Sequence, residues 1–139
     1  MIAEVLQPKN LYKAHRKVLL NKGSAGVDGM QVEELKAYLD THRTRIVMDI
    51  LQGKYLPSAI KGVAIPKGNG KTRMLGVPTV VDRWLQQAVS QQLAQRFELQ
   101  FEPYSYGFRP KKNIQQAVQQ SLKNIPACRQ AGMMVIRIL

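Results

Sequence analysis

Three cationic side chains, Lys67, Lys71 and Arg73, fall within seven residues around a turn that contains Gly68 and Gly70. Glycine lets a backbone approach a ligand closely. Arginine offers a planar fork that matches phosphate oxygens, and lysine offers a compact point charge. Such a tip could hold a triphosphate or a nucleic-acid backbone. A solvated turn, where lysine and glycine are common, is the plain alternative. In a second group, Tyr104, Tyr106 and Phe108 alternate, and Arg109, Lys111 and Lys112 follow at once. Aromatic faces beside cations can stack bases while the charges hold the backbone. Rings of this loop could also plug a core, so Phe108 is expected inside, with Tyr106 and Arg109 on the ligand side. The loop from Gly23 through Gly26 to Gly29 could cradle a phosphate with its N–H groups, but it does not match a P-loop.

Catalytic chemistry is harder to find. Of nine acidic residues only Glu33 and Glu34 adjoin, where they suit the positive end of a helix. Closely placed carboxylates, which a two-metal phosphoryl-transfer site requires, are not visible. Cys128 is the single cysteine, and His15 and His42 are far apart, which leaves little support for a metal site or a thiol nucleophile. No catalytic residue and no metal ligand is assigned.

The elements that must position these groups read as α+β. A basic amphipathic helix is expected over Leu11 to Leu20, capped by Asn10 and stopped near Gly23. Val32, Leu35 and Leu39, then Ile46, Val47, Ile50 and Leu51, predict two short helices broken between Thr41 and Thr44 and ending at Gly53. Two strand-like runs flank Pro66 to Lys71, a β-hairpin over about 60–77 with a basic tip. Thr79 and Asp82 form a capping-box-like start to a long helix whose apolar stripe runs from Val80 through Trp84 to Phe97. Ile114, Ala117, Val118, Leu122 and Ile125 mark another helix, and Met133 to Leu139 reads as a buried strand.

With 21 Lys plus Arg against 9 Asp plus Glu, the 139 residues carry a net charge of +12. That steers polyanions toward the chain, nucleic acid first among them. The positive residues are spread along the sequence, which favours a folded basic face over a basic tail. The 45% apolar content is that of a globular domain of ordinary size. No apolar run approaches the ~18–20 residues of a spanning helix, and the first residues lack a secretory pattern. No membrane partner is expected, and a reducing, cytoplasmic, bacterial setting fits.

Three motifs occur in order: Asn21 to Gly29 (NKGSAGVDG), Ile65 to Pro78 (IPKGNGKTRMLGVP) and Ser105 to Pro110 (SYGFRP). Together they resemble the N-terminal fingers region of group II intron-encoded reverse transcriptases, also called intron maturases, from about Leu11 to Leu139. The resemblance implies an N-terminal extension over about 1–56, fingers hairpin and helices over about 57–132, and the start of a palm strand at 133–139. It implies that Lys67 and Arg73 hold the nucleotide triphosphate. Gly26, Lys71, Tyr106, Phe108, Arg109, Lys111 and Lys112 are then candidates for contact with RNA template and primer DNA. The parent reaction would be RNA-directed DNA synthesis with magnesium and deoxynucleotides. Arg137 and Leu139 stand where that family carries aspartates, so the 139 residues alone are expected to be inactive, a piece of a larger enzyme. A stand-alone RNA-binding or splicing-cofactor module is the alternative. Self-association through 133–139 is a further expectation, because an apolar strand without partners invites pairing.

Overall fold

The computed structural model describes residues 1–130, so the expected strand at 133–139, with Arg137 and Leu139, lies outside the described residues. Mixed helix and sheet is the observed class: helices α1 (Ile2–Val5), α2 (Pro8–Asn21), α3 (Leu35–Leu51), α4 (Val80–Phe97) and α5 (Ile114–Gln130), with strands β1 (Lys61–Pro66) and β2 (Thr72–Val77). The chain divides into two compact units, Met1–Gln95 and the remainder from Arg96.

In the first unit, α2 begins earlier than its asparagine suggests. Pro8 sits in its first turn, with its ring preset to the helical φ, and the carbonyl of Gln7 accepts from the N–H groups of Asn10 and Leu11. Asn10 is therefore inside the helix and buried. Its Nδ2 donates to the carbonyls of Val5 (2.8 Å) and Ala88 (3.0 Å), tying α1, α2 and α4 together.

The expected break in the next helical region does not occur. A 3-10 turn over Val32–Glu34 leads into α3, which runs unbroken through Thr41 and Thr44. Thr41 Oγ1 donates to the Ala37 carbonyl (3.4 Å) and His42 Nδ1–H to the Tyr38 carbonyl (3.0 Å). These polar side chains bond back onto the helix instead of competing with it.

Leu11, Ala14 and Val18 of α2, Leu35, Leu39 and Ile46 of α3, and Val80, Trp84, Leu85 and Ala88 of α4 form the core with Val5 and Val32. Trp84 is 1% exposed and its indole N–H donates to the Leu11 carbonyl (3.0 Å). The expected five-turn stripe of α4 is buried only in its first half, since Val89 and Phe97 are exposed.

The hairpin is antiparallel, with Lys61 opposite Val77 and Pro66 opposite Thr72. Residues along nearly its whole length are exposed, so this ribbon stands without a layer packed on it. In the second unit α5 starts on a reciprocal cap: Gln116 N–H donates to Asn113 Oδ1 (2.9 Å) and Asn113 N–H to Gln116 Oε1 (3.2 Å).

Candidate nucleic-acid interface

Hairpin geometry fixes the basic tip. Lys67 N–H donates to the Lys71 carbonyl (2.6 Å), and Asn69 and Gly70 close the turn with φ of 72° each. Ile65 lies opposite Arg73. Side chains alternate between the faces of a ribbon, so Lys67, Lys71 and Arg73 share the face that also carries Lys61 at the far end. All three are exposed, and no hydrogen bond or ion pair engages their side chains among the described residues. Such a cluster can meet phosphate oxygens without first breaking an internal contact. The opposite face is thin: a Cβ on Gly62 would lie 3.1 Å from Met74 Cε, and one on Gly76 2.9 Å from Ile60 Cγ2.

One carboxylate holds the base of the hairpin. Asp82 is 4% exposed. It accepts from the Tyr55 hydroxyl (2.7 Å), the Ser58 N–H (3.0 Å) and the Thr79 hydroxyl (2.7 Å), while its own N–H donates to Thr79 Oγ1 (3.3 Å). The chain is thus gripped just before β1 and just after β2. Burial, then the hydrogen bond and charge of Asp82, push the Tyr55 hydroxyl pKa well above its usual value. Thr79 and Asp82 were legible as a cap, but the reach back to Tyr55 and Ser58 was not, because no local spacing encodes it.

Gly26 is buried against that same corner. A Cβ there would lie 2.7 Å from Thr79 Cα and 2.9 Å from its N, both rigid backbone. Glycine is needed for this close approach, a packing duty rather than a phosphate cradle. Arg83 secures the loop, with Nη2 donating to the Ser24 carbonyl (2.8 Å). Behind it, His15 is half-buried. Burial lowers its pKa, with the Lys36 charge acting in the same direction and Asp40 opposing.

The aromatic loop in the second unit reverses its expectation. Phe108, expected as a core ring, is fully exposed, and its φ of 56° turns the backbone through the left-handed region. Arg109, expected on the ligand side, points inward with a side chain 11% exposed. Its guanidinium pairs with Glu98 (2.9 Å), donates to the carbonyls of Glu98 (3.2 Å) and Glu102 (2.8 Å), and lies 5.2 Å from the centre of the Phe101 ring. Glycine-poor loops with positive φ need such an anchor, and Arg109 provides it. Lys112 packs over the Tyr106 ring at 4.6 Å and donates to the Pro103 carbonyl. Tyr106 is half-buried, whereas Lys111 stays exposed. The side chains left open to a partner are Phe108, Tyr104 and Lys111.

Among the described residues no group of three or more His, Cys, Asp or Glu could hold a metal ion. The buried Asp82 already has both oxygens engaged. The described side chains therefore do not fit a magnesium site. No helix among them is long and apolar enough to cross a membrane.

No family model matches the sequence. In class, the chain is similar to proteins encoded by group II introns, a relationship to reverse transcriptases and maturases. In particular, it is 31% identical over 116 residues to the group II intron-encoded protein LtrA of Lactococcus lactis subsp. cremoris, covering 83% of this chain and 19% of LtrA. It is also 37% identical over 117 residues to protein YkfC of Escherichia coli K12, covering 83% of this chain and 31% of YkfC. The chain thus spans under a third of the length of these curated relatives.

Proposed function

We propose that this chain is the template- and nucleotide-binding fingers portion of a group II intron-type RNA-directed DNA polymerase, with an RNA partner in intron mobility and splicing. The observation that carries this is the free basic tip of Lys67, Lys71 and Arg73 on an unpacked, gripped hairpin. Similarity to LtrA supports the same reading. On it, residues to about 56 form the N-terminal extension, and residues from about 57 to 132 form the fingers. Lys67 and Arg73 contact the triphosphate of a deoxynucleotide, and Lys71 contacts the nucleic-acid backbone. Magnesium for the parent reaction would need carboxylates other than those of the described residues.

Binding of structured RNA, followed by fluorescence polarisation between about 50 and 200 mM salt, tests the proposal. Affinity should fall linearly on a log–log plot. Replacing Lys67 and Arg73 together with Ala should reduce the slope by about two, one for each lost phosphate contact. Absence of RNA binding, or a flat salt response, overturns the reading.

A further inference from the structure

α2 and α4 run antiparallel along one seam, with Asn10 against Ala88 and Gln91, Leu11 against Trp84, and Asn21 near Arg83. On the α2 bank, Lys9, Lys13 and Lys17 recur every four residues, which places them on one face about 6 Å apart along the axis. On the α4 bank, Gln87, Gln91 and Gln95 recur with the same spacing. A cleft of about 510 Å³ lies between Lys9, Lys13, Lys17 and the pair Gln91 and Gln95. Further along the seam, a second cleft of about 310 Å³ is lined by Lys22, Arg83 and Gln87.

Five cations thus border the seam. Glu4, beside the Met1 amine at 3.7 Å, is the one acidic residue lining either cleft. Like charges four apart on a helix repel, and no carboxylate on α2 relieves them, since Pro8–Asn21 contains no Asp or Glu. Lys9, Lys13 and Lys17 are exposed and their side chains have no hydrogen-bond or ion-pair partner among the described residues. An extended polyanion would remove that repulsion. No aromatic ring lines either cleft, so base stacking is not what the seam offers. Its glutamines can both donate and accept, which suits phosphate oxygens together with ribose 2′-hydroxyls.

We infer that the α2–α4 seam is a docking groove for the sugar–phosphate backbone of an RNA helix, separate in residues from the hairpin tip. This deepens the RNA-binding reading above and rests on it. The test compares the full chain with Lys9→Gln/Lys13→Gln/Lys17→Gln, using a hairpin RNA and a DNA duplex of equal length, with helix content followed by circular dichroism. At about 0.15 M ionic strength the triple variant should bind the RNA at least tenfold more weakly, and its log–log salt slope should fall by about three. Should the triple variant misfold, Gln87→Glu/Gln95→Glu on the opposite bank should produce a tenfold loss. Unchanged RNA affinity in a folded variant, with salt-dependent binding by the parent chain, overturns the groove and leaves the RNA reading intact. No RNA binding by the parent chain overturns both. Equal affinity and equal loss on duplex DNA overturn the assignment to RNA.

Discussion

Arg109 shows how far a side chain's surroundings can depart from its neighbours in sequence. It follows three aromatic residues and precedes two lysines, the pattern of a ligand-facing cation, yet its partner Glu98 lies eleven residues earlier, beyond any local spacing. Losing its charge-assisted bonds should cost about 2–3 kcal/mol of local stability. Arg109→Ala should therefore strip amide hydrogen-exchange protection from residues 98–112, and Arg109→Lys should fail to restore it, because an ammonium cannot serve acceptors spread across the guanidinium plane. Retained protection in either variant would contradict the anchoring role. Tyr55 supplies a pH signature at the same scale. Its folded pKa is raised from the ordinary 10.0, chiefly by burial. The unfolded chain therefore releases its hydroxyl proton first, so this stabilisation is full below about pH 10 and is lost as pH rises through the folded value. Thermal melts should show Tm falling above pH 10, less steeply in Tyr55→Phe, which should cost about 1 kcal/mol at neutral pH. Parallel curves for the two proteins would remove Tyr55 as the cause.

Elements were legible where the chain's local chemistry had no competitor. The hairpin lies where its turn residues put it, because Gly68, Asn69 and Gly70 have few other uses between two apolar strands. The α4 start followed from Thr79 and Asp82. The α2 start did not follow from Asn10, since Pro8 two residues earlier fixes the first turn and packing draws the asparagine inward. The α4 stripe was half right, because apolar periodicity tells which face could be covered and not how much of it α2 and α3 can reach. Gly26 looked like a phosphate loop because its need for a missing side chain comes from Thr79, 53 positions on by number (79 − 26). Gly26→Ala should thus destabilise by about 1–3 kcal/mol through overpacking, read as a lower urea midpoint with an unchanged m-value. A neutral result would mean that the Thr79 corner can shift.

At the scale of the molecule, the +12 charge pulls two observables in opposite directions. Self-repulsion destabilises a compact state of high net charge, whereas phosphate binding weakens as salt rises. Added sodium chloride should raise the Tm of the free chain over the same range in which it lowers RNA affinity. A Tm that falls with salt would mean that internal ion pairs outweigh the repulsion. The described residues offer few such pairs beyond Arg45–Asp49 and Arg109–Glu98, and the first of these is exposed.

The grip of Asp82 has a consequence for how such a chain can change over generations. Tyr55 and Ser58 approach the carboxylate from one side of the hairpin and Thr79 from the other, so the intervening segment is an interchangeable part clamped at its stem. Lengthening a clamped loop adds only a fraction of a kcal/mol for each doubling. The reach and charge of the tip can therefore drift under selection for a new ligand while Trp84 and its neighbours stay as they are.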